Sequence, residues 1–232
     1  MQRPDAVRLI TFDLDDTLWP VAPVIVRAEH RMRDYLDTHA PEVNRRLDRD
    51  DFTRIREELL AREPGLANEI SALRHRVVEA ALGECGYANV AELAAGAFAA
   101  FLDARHDIAY FEDALDTLAH LSRSFILGAL SNGNADVGRL GLDRYFTFHF
   151  SAEQVGRRKP HPAMFERALQ EAGVSAGAAV HVGDHVDDDI RGAHAVGMAT
   201  VWVNRSGSAW GESDIRPTWE IRDLAELNAL FP

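Results

Sequence analysis

The chain has 232 residues, 47% of them hydrophobic, and its 25 Lys+Arg against 37 Asp+Glu leave a formal charge of −12. That is the make-up of a globular protein with one large domain, or of a core carrying a second unit. The acidic surplus disfavours nucleic acid and anionic lipid surfaces, and no uncharged apolar run approaches the roughly 20 residues that span a bilayer. Cys85 stands alone, which excludes an internal disulfide framework and a cysteine-rich zinc site. With no apolar leader core between Met1 and Asp5, the cytoplasm is the expected compartment.

In chain order, Val7 to Phe12 forms an apolar run that ends at Asp13 and reads as a strand. From Pro20 to His106 the periodicity is helical throughout. Ile25, Ala28, Met32 and Leu36 share one face, as do Phe52, Ile55 and Leu59; Ile70, Leu73 and Val77; and Val90, Leu93, Ala97 and Phe101. Breaks at Pro41, Pro64-Gly65 and Gly83 to Gly86 permit antiparallel returns, so this stretch predicts a bundle of about four helices. A helix through Ala114, Leu118 and Leu121 follows, then a strand from Phe125 to Leu130 that runs into Ser131. Thr147 to Phe150 leads toward Lys159, a helix follows Pro162, and Ala178 to Val182 runs into Gly183-Asp184. Ile190, Ala193 and Val196 predict another helix, Ala199 to Val203 a strand, Trp219 to Ile221 an edge strand, and Asp223 to Leu230 a last short helix. Strands alternating with helices predict an α/β fold: a Rossmann-like parallel sheet with helices on both faces and an inserted helical bundle. The core would comprise residues 1–19 and 107–232, and the insertion residues 20–106.

In such a sheet the functional crevice lies beyond the carboxyl ends of the strands, where Asp13, Ser131, Lys159 and Asp184 would converge. Asp13 and Asp15, two residues apart, point to one side if the chain stays extended, and their repulsion invites a cation. With Asp184 they make a hard oxygen site suited to Mg²⁺, which keeps waters and accepts a phosphate oxygen. Lys159, the Ser131 hydroxyl and the amides of Asn132 and Gly133 match the remaining phosphate oxygens.

The run Asp13-Leu14-Asp15-Asp16-Thr17-Leu18, then Ser131-Asn132, Lys159-Pro160, and Gly183-Asp184 with Asp188 or Asp189, resembles in order the four motifs of the haloacid dehalogenase superfamily. The helical insertion resembles that family's first class of cap. The resemblance implies that Asp13 is a nucleophile forming an aspartyl phosphate and that Asp15 is the general acid and then base. It further implies Mg²⁺ held by Asp13, the backbone carbonyl of Asp15 and Asp184, supported by Asp189 or Asp188. Thr17 would fix the loop and help orient the acid, and Trp19, near the hinge, would contact the substrate. The runs Phe12 to Trp19, Ser131 to Asn134 and Gly156 to Pro160 are most similar to bacterial flavin-pathway phosphatases acting on 5-amino-6-(5-phosphoribitylamino)uracil and on FMN. The implied partner is a small phosphorylated metabolite, bound by a monomer or weak homodimer.

Plainer readings compete at several positions. Asp187 to Asp189 also suit a helix start, His181 a hydrogen-bonded core position, and Arg157 and Arg158 a solvated surface. Within the same fold, hydrolytic dehalogenation of haloacids needs neither a second acid after the nucleophile nor magnesium, and Asp15 argues against it. A receiver-like phospho-accepting module uses similar residues but is shorter and lacks the insertion; a purely structural binding protein would not need the site.

Overall fold

The structure, a computed structural model, describes residues 7–211 and 215–232, so the leader reading at Met1 to Asp5 falls outside the described residues. They divide into two compact units, one made of the segments up to Pro20 and from Ala109 onward, the other Val21–Ile108. Among the described residues no helix is long and apolar enough to cross a membrane.

The first unit is built on β1 (Leu9–Phe12), β2 (Ile126–Ser131), β3 (Phe148–Ser151), β4 (Ala179–Gly183), β5 (Ala199–Val203) and β6 (Trp219–Ile221). They form one sheet in the order β3-β2-β1-β4-β5-β6, every neighbouring pair parallel. Sheets covered on both faces select continuous apolar runs in place of alternating ones, and all residues of β1 and β4 are buried. The order reverses at β1: β2 lies on one side and β4, reached much later in the chain, on the other. Such a switch point opens a crevice at the carboxyl ends of the two strands. Phe12 is in register with both Ala129 and Val182, so Asp13 and Asp184 leave the sheet at the same end.

The second unit contains α1 (Val21–His39), α2 (Pro41–Arg46), α3 (Arg49–Arg62), α4 (Ile70–Glu84) and α5 (Val90–Arg105). Val24, Ala28, Met32 and Leu36, spaced by four, bury one stripe of α1, and Leu73, Val77 and Ala81 do the same on α4. Asp48 starts α3 by accepting from the N–H groups of Asp50 and Asp51, at 2.8 and 3.1 Å. Gly96 lets α5 approach Tyr35, since a Cβ there would fall 2.0 Å from the phenol oxygen. Periodicity does not predict the short α2 after Pro41, because so brief a helix with a single buried residue, Val43, carries no repeating signal.

In the first unit α6 (Ala114–Leu121) buries Leu118 and Leu121. A short α7 (Ala152–Val155) follows β3 and ends at Gly156, whose φ of 74° suits glycine. Next, α8 (Ala163–Ala172) buries Met164 and Phe165. The expected helix from Asp187 begins instead as a π-helical turn, Val186–Arg191, that leads into α9 (Gly192–Ala195). The expected C-terminal helix divides into a 3₁₀ turn, Leu224–Glu226, and α10 (Leu227–Leu230).

Candidate active site

Asp13 continues β1, its N–H donating to the carbonyl of Val182 at 2.9 Å. The chain then turns tightly. Leu18 N–H returns to Leu14 O at 2.8 Å, and Asp16 takes a φ of 58°, a left-handed conformation that Asp tolerates better than most side chains. The turn brings the Trp19 indole N–H to Oδ1 of Asp15 at 2.9 Å.

Lys159 is the hub. Its side chain is 1% exposed, and Nζ lies 2.6 Å from Asp13 Oδ1, 2.6 Å from Asp189 Oδ1 and 2.8 Å from Leu130 O, which satisfies all three ammonium protons. Asn132 fixes the segment that delivers it. The Asn132 amide donates to Lys159 O and Asp188 Oδ2, and its carbonyl accepts from Lys159 N–H at 2.7 Å. Asp189 is saturated as well, accepting from Lys159, from His181 Nε2 at 3.1 Å and, at Oδ2, from His185 N–H at 3.0 Å. His181 is fully buried, and its Nδ1 meets the Thr11 hydroxyl at 2.8 Å. With a carboxylate on Nε2, that nitrogen carries the proton and Nδ1 accepts.

Oxygens of Asp13, Asp184 and Asp189 all lie within 4.8 Å of one another. Burial, then the charges of Asp189 and Asp184, hold the Asp13 carboxyl well above the usual carboxylate range in spite of Lys159. Burial, Asp189 and Asp16 push Asp184 up to about 6. Burial opposes ionisation of Asp189 too, but Lys159 and His181 outweigh it and keep its carboxyl below the usual range. Against its burial, Asp13 and Asp189 hold Lys159 above its ordinary value, whereas burial keeps His181 low and neutral. Of the two carboxylates that share Lys159, Asp189, with three donors, is the settled anion. Asp13 and Asp184 carry the residual repulsion. A cluster of three acids against one ammonium, presented from oxygen donors, fits a hard divalent cation, which Asp13 and Asp184 could hold.

These groups open into a cavity of about 160 Å³ whose lining includes Asp13, Asp15, Ser131, Gly133, Lys159 and Asp184. Ser131 Oγ accepts from Gly133 N–H at 2.9 Å, leaving its own proton to donate. Gly133 N–H is thus engaged by Ser131, and the Asn132 side chain by Lys159 and Asp188. Thr17, expected to fix the loop and orient the acid beside the substrate, and Trp19, expected to contact the substrate, are both fully buried. Thr17 Oγ1 donates to Asp184 at 3.3 Å rather than orienting Asp15, and that orientation comes from the Trp19 indole. These contacts have a simple cause: the tight turn from Leu14 to Leu18 brings both polar atoms to carboxylates.

A haloacid dehalogenase-like hydrolase model matches residues 7–197. The chain belongs to that family. Haloacid dehalogenase-like relatives include the 5-amino-6-(5-phospho-D-ribitylamino)uracil phosphatase YigB of Escherichia coli, 33% identical over 97% of this chain and 96% of that one. A glyceraldehyde 3-phosphate phosphatase of Methanopyrus kandleri is 32% identical over 86% of this chain and 84% of its own length. A crystal structure described as a 2-haloacid dehalogenase from Pseudomonas syringae pv. Tomato shares 46% identity over 97% of both chains, with a TM-score of 0.94. Haloacid dehalogenase-like membership makes the chain a hydrolase; the chemistry of its electrophile is a separate question.

Sequence reasoning places His181 in the core and gives it no part in the site. It is core, and it also holds Asp189. Its spacing of eight from Asp189 carries no helical or strand signal, so only the π-helical turn could bring them together. Gly183, part of a motif in the sequence, has a steric reason in the structure. A Cβ there would lie 2.3 Å from Asp189 Cγ, so glycine is what admits the clamped carboxylate.

Proposed function

We propose that the protein is a magnesium-dependent phosphomonoesterase acting on a small phosphorylated metabolite through an aspartyl phosphate on Asp13. The observation that carries this reading is Asp15, held by the Trp19 indole on the cavity that Asp13, Asp184 and Lys159 line. A phosphate monoester loses an alkoxide, which needs a proton, whereas a halide leaves without one; a positioned second acid is useful only for the first. Asp13 Oδ attacks phosphorus in line while Asp15 protonates the departing alcohol oxygen. Asp15, now a carboxylate, takes a proton from water as that water attacks the phosphorus, and Asp13 is released. Lys159 orients the nucleophile and tempers its charge, and the Ser131 hydroxyl donates to a phosphoryl oxygen. Asp13 and Asp184 would hold Mg²⁺, with Asp189 positioned behind them; when bound, the ion neutralises charge that would otherwise repel a dianionic ester. The helical insertion, in this reading, is the cap that selects the leaving group. The 33% identity with YigB makes 5-amino-6-(5-phospho-D-ribitylamino)uracil the first substrate to try, and FMN, a ribityl phosphate too, the second.

The second reading, hydrolysis of a 2-haloacid, draws on the 46% identity with the Pseudomonas syringae structure. It must place an anionic substrate beside three carboxylates with one lysine, and it leaves Asp15 without a task. Assaying the purified protein with phosphate esters and with 2-chloropropionate, with and without Mg²⁺, separates the two. Phosphate release that needs Mg²⁺ and disappears in Asp15→Asn supports the phosphatase; chloride release that persists in EDTA overturns it.

A further inference from the structure

The unit Val21–Ile108 contains a cavity of its own, about 560 Å³, between α1, α3 and α4. That is within the size range of small-molecule sites. Arg33, Arg49, Arg56 and Arg74 line it, and Glu29 is the one carboxylate among its described lining residues. The apolar floor is made by Met32, Phe52, Leu73 and Val77. Elsewhere in the same unit five arginines have carboxylate partners, Arg27 with Asp107, Arg45 with Glu42, Arg54 with Glu84, Arg62 with Glu58 and Arg76 with Glu63, whereas, among the described residues, Arg46 meets only the carbonyls of Cys85 and Glu84. None of the four cavity guanidiniums has an ion pair among the described residues. Two are placed by aromatic rings instead, Arg33 lying 5.6 Å from the Phe52 centroid and Arg74 3.9 Å from that of Phe101. Burial above all lowers Arg74 to about 10, Glu29 pulls the other way, and Arg105 and Arg56 add smaller lowering contributions. In a chain of net charge −12, four guanidiniums without an ion pair among the described residues, set over an apolar floor, make a locally positive recess suited to an anion.

We propose that this cavity binds a small organic anion, its charged end met by the four arginines and its apolar body laid on the floor. The anion is a ligand of this unit in its own right, defined by its chemistry: a charged end on an apolar body. The proposal does not depend on the reaction performed at Asp13, because binding is measured directly.

The probe is benzene-1,3-dicarboxylate, titrated calorimetrically into the full chain; it has no phosphoryl group to hydrolyse. Saturable one-to-one binding is expected, weakened about tenfold to a hundredfold in Arg56→Gln or Arg49→Gln, as for loss of a charge-assisted contact. Both residues are exposed, so these variants keep the fold where Arg74→Gln could lose it. Glu29→Gln should tighten binding, a gain that a loss of structure does not produce. Arg62→Gln, outside the cavity, should leave it unchanged. Absence of saturable binding, or equal losses in Arg62→Gln and Arg56→Gln, overturns the proposal.

Discussion

Trp19 and Asp15 are joined side chain to side chain, the indole N–H donating to the carboxylate at 2.9 Å across a tight turn. The tryptophan is fully buried and packs edge-on against Tyr110 at 5.8 Å, so the carboxylate is held by a rigid donor. Trp19→Phe removes the donor and keeps most of the volume. We expect kcat to fall about tenfold, equivalent to one lost hydrogen bond to a charged group, while the Mg²⁺ requirement is unchanged. Steady-state kinetics on a phosphate ester check this, and an unchanged kcat contradicts it.

Lys159 compensates two buried carboxylates, so replacing it leaves both without their cation. Lys159→Met should lose about 3–5 kcal/mol of stability, the usual cost of removing one partner from a buried ion pair, together with activity. Lys159→Arg should also fail, because a planar guanidinium does not fit a slot in which one ammonium meets Asp13, Asp189 and Leu130 O. Denaturant unfolding of both variants reads the outcome; near-native stability of the Met variant contradicts the role.

Gly183→Ala is the mildest change that disturbs the acidic cluster. The added methyl meets Asp189, which Lys159, His181 and the His185 N–H prevent from moving aside. Overpacking of this kind costs about 1–3 kcal/mol, and Mg²⁺ affinity should fall with it. Thermal unfolding with and without Mg²⁺ measures both effects.

The metal-free and Mg²⁺-loaded proteins should respond to pH in opposite ways. Asp184 titrates at about 6 in the fold, above about 3.9 in an unfolded chain. Between those values the folded, metal-free protein binds more protons than the unfolded one, so its stability falls as pH rises through that window. Mg²⁺ requires the ionised carboxyl and stabilises by binding the folded state. The Mg²⁺-induced rise in Tm should therefore grow as pH rises from about 5 through the Asp184 titration, and Asp13, also held above the usual range, extends the growth in the same direction; a shift independent of pH contradicts the assignment of this pair to the metal.

The four inner strands were legible because burial on both faces forces continuous apolar runs, whereas the edge strands β3 and β6 alternate buried and exposed residues; the polar residue that ends a run marks the crevice. Asp13, Ser131 and Asp184 follow from that rule alone. Lys159 sits in a loop, and its importance comes from motif resemblance, not periodicity. What the sequence concealed was the support behind the site. Thr17 and Trp19 have polar atoms that suit a ligand equally well, and only the tight turn after Asp13 decides that they face carboxylates. The arginines of α1, α3 and α4 lie far apart in the chain, on helices whose mutual packing no single periodicity fixes.

The most direct measurement is acid quenching of the Mg²⁺-loaded Asp15→Asn variant soon after mixing with para-nitrophenyl phosphate, whose leaving group departs without a proton, followed by peptide mapping. Without the base that activates water, a phosphoryl group should accumulate on Asp13 and on no other residue. Turnover of the ester by the unsubstituted protein with no phosphate ever found on Asp13, or with the label on a different side chain, contradicts the account.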